Sequence, residues 1–116
     1  MIDVASRDRV RFGHILDSAA TIQDYAKGGI DRFLSNAMAQ DAVMRRFTIV
    51  GEATKHLSPA FRRTHPEVPW SDLARFRDYL MHSYDSVIPS RVWEVIVGPL
   101  RKAQRALEEI KRKLGW

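Results

Sequence analysis

Seven apolar residues, Val92, Ile96, Leu100, Ala103, Leu107, Ile110 and Leu114, follow one another at spacings of three or four. At about 100° per residue, that spacing draws one apolar stripe along a helix; a strand would need alternation instead. The same pattern recurs upstream. Ile15, Ala19, Ile22 and Ala26 set a first helix that starts near Ser6 and is stopped by Gly28-Gly29. Ile30 to Leu34 suffices for a short second helix, and Val43, Phe47, Val50, Ala53 or Thr54, and Leu57 mark a third from about Gln40 to Leu57, ended by Ser58-Pro59. No segment reads as a strand, and there is no repeat or low-complexity tract. The expected fold is all-α, a four- to five-helix up-down bundle with short connections.

Interruptions of the pattern sharpen this picture. Gly51 sits in the middle of the third helix at a propensity cost of roughly 1 kcal/mol relative to alanine, which predicts a close approach by a neighbouring backbone. The stretch PAFRRTHPEVPW, residues 59–70, carries three prolines and reads as loop with at most a turn of helix at Ala60 to Arg63. Ser71 is the expected N-cap of a fourth helix running through Tyr84, with Asp72 in its first turn. The last helix is expected from Ser90 almost to Trp116, with a kink at Gly98-Pro99 where proline removes a hydrogen bond.

At 116 residues and 45% hydrophobic composition, the chain suits a single domain, residues 1–116, with a core of its own. The absence of cysteine excludes disulfides, thiolate metal sites and cysteine nucleophiles, and a reducing cytoplasm fits. Charges interrupt the N-terminal stretch MIDVASRDRVRFGHI, and the longest apolar run, VWEVIVGPL, is too short to span a bilayer, so neither an export signal nor membrane association is expected. The net charge of +5 and a pI near 10.0 favour phosphate-rich partners. Much of that excess lies at Arg101, Lys102, Arg105, Lys111, Arg112 and Lys113, opposed only by Glu108 and Glu109, and a solvated terminal helix has the same composition.

The chemistry-bearing stretch is RDYLMHSY, residues 77–84. On a helix, Leu73, Phe76 and Leu80 face the core; Arg77 and Tyr84 border that arc about 20° apart, and Asp78 and His82 lie one turn from each other on the adjoining polar arc. Asp78 could hydrogen-bond His82 and favour imidazolium, while Arg77 offers a fixed cation with a planar fork for phosphate oxygens. Histidine with arginine is a minimal set for metal-independent RNA cleavage: the imidazole moves a proton and the guanidinium stabilises charge on phosphorus. Such cleavage uses both a base and an acid, and a two-fold homodimer would bring two copies of the pair to one groove. Taken alone, the same residues also read as a solvated helix face with a partly buried tyrosine.

RDYLMHSY resembles the Arg, Asn or Asp, spacer, His signature of HEPN-domain proteins, and its His-x-Tyr ending resembles the HepT branch. RRFTIVGEATKHLSP upstream, followed by a proline-rich loop and VPWSDL, and YDSVIPSRVWEVI downstream are similar to that branch in the same order, over roughly residues 8–110. The resemblance implies a helical bundle that forms homodimers. It also implies a metal-independent ribonuclease, the toxin of a type VII toxin-antitoxin pair, with Arg77 and His82 as the catalytic pair and no cofactor. Asp78 stands where many relatives carry asparagine. Tyr84 occupies the position to which an MntA-like nucleotidyltransferase antitoxin adds AMP, and bulk with negative charge there would block and repel RNA together.

Other candidates are weaker. Arg62, Arg63, Arg101, Lys102 and Arg105 could guide RNA through phosphate contacts, although each is equally well explained as solvated surface. His14, His56 and His65 lack metal-ligand spacing; Glu52 and His56, one turn apart, read as interhelical or interface polar contacts, and His65 as a loop residue. Trp70, Trp93 and Trp116 read as core or interface anchors. The alternative to a ribonuclease is a non-catalytic helical module that binds RNA or a nucleotidyltransferase without cutting.

Overall fold

The helical periodicity is realised throughout the computed structural model, which describes residues 3–116 and has no strand among them. Its elements are α1 (Val4–Ala26), α2 (Ile30–Leu34), α3 (Ala37–His56), α4 (Pro59–Thr64), α5 (Trp70–His82) and α6 (Pro89–Val95), then a π-helical turn (Ile96–Leu100) that continues into α7 (Arg101–Leu114). Counted as rods, α1, α3, α5 and the α6–α7 run make a bundle, with α2 and α4 as short corner pieces. The most extensive pairings are α1 with α3 and α3 with α5. The buried stripes read from sequence meet in the centre, where Ile15, Ile22, Val43, Phe47, Val50, Leu73, Ile96, Leu100 and Leu107 are almost fully enclosed.

Capping decides where several helices begin. The Asp3 carboxylate accepts from Ser6 N at 2.7 Å, which starts α1 two residues before the expected Ser6, and Asn36 Oδ1 accepts from Ala39 N at 3.0 Å, which starts α3 ahead of Gln40. Ser58 Oγ caps α4 through Phe61 N at 3.1 Å. It is itself clamped by buried Asp8 of α1, whose carboxylate accepts from Ser58 N at 2.8 Å and from Ser58 Oγ at 2.7 Å. That clamp ties the start of α1 to the corner after α3.

Ser71 is not the N-cap of the next helix. Trp70 already occupies the first turn of α5, held there by its indole Nε1, which donates to the carbonyls of His65 (2.9 Å) and Arg62 (3.2 Å) at the end of α4, alongside the backbone N–H that each already accepts. The other end also differs from expectation: α5 stops at His82, and Tyr84 lies in the turn that follows, closed by Ser86 N donating to Ser83 O at 2.8 Å. Asp85, Ser86 and the restriction that Pro89 places on Ile88 give the chain little helical preference there.

Gly98-Pro99 produces a π turn, not a simple kink. Pro99 cannot donate, and the wider i→i+5 turn accommodates two successive spacings of four at Val92, Ile96 and Leu100, all buried. Gln23 Nε2 of α1 donates to Ile96 O at 3.2 Å and satisfies a carbonyl of the widened turn. At the end of α7, Gly115 adopts φ +69°, with Gly115 N donating to Arg112 O and Trp116 N to Lys111 O. This reversal folds Trp116 back onto Phe12 and Phe61, with ring centroids 5.1 and 5.7 Å away. Trp116 is thus a core anchor, as is buried Trp70; Trp93 packs on Phe33 at 5.6 Å.

Candidate functional site

The glycine in α3 is where the site begins. A Cβ built on Gly51 would lie 2.1 Å from Arg77 Cβ and 3.2 Å from Leu73 O, so α3 and α5 cross at a distance only glycine permits, as its mid-helix position predicts. The crossing lays the stem of Arg77 directly on the backbone of α3 and leaves its side chain 22% exposed. Glu52 and Lys55, which follow the crossing on α3, are thereby brought to the two residues that open the RDYLMHSY motif.

These groups form a closed ionic set. Arg77 donates one nitrogen to Glu52 at 3.0 Å and another to the Asp78 carboxylate at 3.1 Å; Lys55 Nζ also donates to Asp78. His56 joins through Glu52, its Nδ1 lying 2.8 Å from the Glu52 carbonyl and 3.6 Å from the carboxylate. The pairing of Glu52 with His56 on one helix face agrees with the sequence, and Glu52 is also the interhelical contact. The Lys55 hydrogen bond, then that of Arg77, holds the Asp78 carboxyl below the usual aspartate range. Arg77 Nε is shielded from solvent without a protein partner.

Asp78 does not orient His82 through its carboxylate, because that group is taken by Lys55 and Arg77. The imidazole turns instead to the backbone: His82 Nδ1 lies 2.7 Å from Asp78 O. A carbonyl only accepts, so the contact makes Nδ1 the donor and leaves Nε2, on an exposed side chain, without a protein partner among the described residues. Asp78 is therefore the hub that links the other two members, its carboxylate to Arg77 and its carbonyl to His82. Arg77 and His82 themselves diverge by about 140° around α5.

Tyr84 stands apart on its turn, 84% exposed. The turn is held at its base by Tyr79, whose hydroxyl accepts from Ile88 N at 3.4 Å and whose ring carries the Arg91 guanidinium at 4.5 Å. The tyrosyl oxygen is thus presented to solvent from an anchored loop.

On the other side of Arg77, a cleft of about 340 Å³ opens between α1 and α3, lined by Arg11, His14, Arg45, Thr48, Ile49, Glu52, Ala53 and Arg77. Sequence reasoning passed over Arg11 and Arg45 altogether and weighed His14 only as a metal ligand. The signal available was their stripe, with Arg11 and His14 on one face of α1 and Arg45, Thr48 and Glu52 on one face of α3, converging on the glycine crossing.

The basic residues singled out from sequence lie elsewhere. Arg101 and Arg105 line a separate groove between α1 and α7 of about 690 Å³, with Gln23, Gln104, Glu108, Glu109 and Arg112. Arg62 and Arg63 belong to α4, and Lys102 is exposed on α7. None of the five lines the Arg77 cleft. His65 ends α4 and packs on Phe61 at 4.6 Å. No group of three or more histidine, aspartate or glutamate side chains able to hold a metal ion occurs among the described residues, and no described helix is long and apolar enough to cross a membrane.

Comparison with known proteins gives a consistent result. Residues 15–110 match the family described as ribonuclease HepT-like. A candidate RNase of Caldanaerobacter subterraneus is 33% identical over 86% of this chain and 90% of its own length. A second candidate RNase, from Methanocaldococcus jannaschii, is 33% identical over 83% of this chain and 80% of its own. Another protein of that organism, named both a gamma-glutamylcyclotransferase and a candidate RNase, is 35% identical over 91% of this chain, which spans about half of that relative, 48%. A protein of Thermococcus cleftensis named a probable ribonuclease HepT is 35% identical over 69% of this chain and 73% of its own. No solved structure matches significantly.

Proposed function

The chain belongs to the HepT-like ribonuclease family, and from that premise we propose that it is a metal-independent endoribonuclease whose cut is made by His82 and Arg77 in a homodimer. The observation that carries the reading is the His82 tautomer: with Nδ1 donating to the Asp78 carbonyl, Nε2 is free to take a proton. In the proposed step, Nε2 removes the proton of a ribose 2'-hydroxyl and that oxygen attacks the adjacent phosphorus. The P–O5' bond breaks, and the leaving oxygen takes a proton from an imidazolium. A cyclic phosphate and a 5'-hydroxyl result. Arg77 stabilises the charge on the phosphoryl oxygens.

One chain brings a single motif histidine to this chemistry, and Arg77 and His82 diverge around α5. A two-fold pair of chains supplies the second imidazole as the acid and lets the arginine of one copy face the histidine of the other. Purified protein is expected to cleave single-stranded RNA in the presence of a chelator and to run as a dimer in light scattering. His82→Ala is expected to lose about 10²- to 10⁴-fold in rate. Arg77→Lys keeps the charge but loses the fork, and is expected to fall well below wild type.

Regulation follows from Tyr84. Its exposure on an anchored turn suits it to receive AMP from a nucleotidyltransferase antitoxin, which would make this protein the toxin of the pair. Co-expression with such a partner is expected to raise the intact mass by one AMP on wild type and not on Tyr84→Phe. An equal increase on both would remove the assignment. The non-catalytic reading has one observation in its favour, that Glu52 and Asp78 already neutralise Arg77. Intact RNA after incubation with purified dimer, with and without chelator, would establish it.

A further inference from the structure

We propose that the cleft between α1 and α3 is a backbone-phosphate subsite, in which Arg11, Arg45 and His14 hold a phosphodiester of single-stranded RNA next to the one presented to Arg77. The inference deepens the ribonuclease reading and rests on it. Its starting point is charge. Around Arg77 the cations are internally spent, Arg77 on Glu52 and Asp78, and Lys55 on Asp78. An incoming phosphate therefore meets two carboxylates there as well as two cations, and the ionic set alone offers little net attraction.

The cleft that continues from Arg77 has the opposite balance. Three arginines line it with one carboxylate, and that carboxylate, Glu52, is already paired with Arg77. Among the described residues, neither Arg11 nor Arg45 forms an ion pair. Two helices packed against each other thus turn unpaired guanidinium groups into one concavity, where a bound anion would relieve their repulsion. Thr48 does not compete as a donor, since its hydroxyl donates to Met44 O of its own helix at 3.1 Å. Donors to an anion come from the two arginines and His14.

Spacing points to a second phosphate of the same strand. Arg45 and Glu52, the partner of Arg77, are seven residues apart on α3, a rise of about 10 Å along one face. The volume of about 340 Å³ lies at the small end of ligand sites and suits a nucleotide unit of a single strand, not a duplex. In this arrangement the cleft supplies attraction and register, while the neutralised Arg77 waits for a phosphate already delivered to it.

The test uses a single-stranded RNA whose riboses are 2'-O-methylated, so that binding is read without cleavage, by fluorescence anisotropy over a series of salt concentrations. The double variant Arg11→Gln with Arg45→Gln is expected to bind about tenfold more weakly and to lower the salt slope by about 0.7 for each phosphate that it no longer neutralises. Arg11→Lys with Arg45→Lys is expected to keep most of that slope, because the charge remains. Lys27→Gln with Lys113→Gln removes the same charge outside the cleft and is expected to change affinity less than twofold, a small non-specific effect. Should the glutamine pair lower the melting temperature, Arg45→Gln alone, at an exposed position, carries the test. Wild-type affinity and slope in a folded cleft variant overturn the subsite, including the case where that variant loses only the binding of an acidic protein partner. Cleavage of unmodified RNA in the same preparations separates the two readings. Cutting with cleft-independent binding keeps the ribonuclease and removes the subsite, whereas cleft-dependent binding without cutting keeps the subsite and removes the ribonuclease.

Discussion

On one flank of α1, the cleft toward α3 holds Arg11, Arg45 and Arg77; on the other, the groove toward α7 holds Arg101, Arg105 and Arg112. In the α7 groove, Arg112 pairs with Glu109 one turn away on its own helix with a side chain 69% exposed, and Arg101 Nε reaches Gln23 at 3.4 Å. In the α3 cleft, Arg77 is 22% exposed and takes one of its partners from another helix, at a crossing only glycine permits. The α7 charges are dense in sequence and their ion pair, Arg112 with Glu109, lies within one helix, while the α3 charges are sparse in sequence and their ion pairing to Glu52 is made by packing. Basic density along the chain is therefore a poor guide to where a basic site is built.

Substitutions in the two grooves can break or sharpen this contrast. The largest effect is expected from Gly51→Ala. Its methyl would meet Arg77 Cβ, and overpacking of about 3 kcal/mol less roughly 1 kcal/mol of gained helix propensity leaves a net loss of about 2 kcal/mol in urea unfolding. An unchanged midpoint would mean that the crossing is loose and that Arg77 is placed no more firmly than Arg112. Next comes Gln23→Ala, which removes the donor to Ile96 O and is expected to cost about 1 kcal/mol, read as a fall of about 4 °C in Tm. It shows that the α7 groove also has an interhelical element, but an amide beside the charges, not a charge itself.

A smaller effect separates the two regions by pH. The Asp78 carboxyl is held below its unfolded value by Lys55 and then Arg77, so its contribution is present above about pH 4 and is lost as pH falls through the lower folded value. The difference in urea midpoint between wild type and Asp78→Asn is therefore expected to be largest near neutrality and to close on acidification. A difference that persists at about pH 2 would assign the effect to packing. The smallest effect belongs to Arg112→Ala, for which no resolvable shift in midpoint is expected, since an exposed pair within one helix contributes little.

How far the sequence could be read varies with the range of the interaction. The stripes of α1, α3, α5 and α7 were legible because helical periodicity is local, and Gly51 was legible as a crossing because its cost in a helix needs a compensation. The role of Ser71 was misread because Trp70 is fixed by carbonyls of the preceding helix, a contact that no local pattern announces. Tyr84 was placed on the helix by spacing alone, although the chain leaves the helical path after His82. The contact expected between Asp78 and His82 had the correct spacing, but the carboxylate was claimed by a lysine 23 residues away.

By itself, then, the sequence determined that this protein is helical, where its core stripes run, and that arginine, aspartate, histidine and tyrosine cluster in one eight-residue stretch. Only the tertiary structure decided which of those charges are spent, which nitrogen of His82 is left free, and that Arg11 and Arg45 stand beside Arg77. The physical reason is the reach of the forces involved. Periodicity and capping act within a turn or two and are written in consecutive residues, whereas ion pairing acts through space between whichever side chains the packed helices bring together.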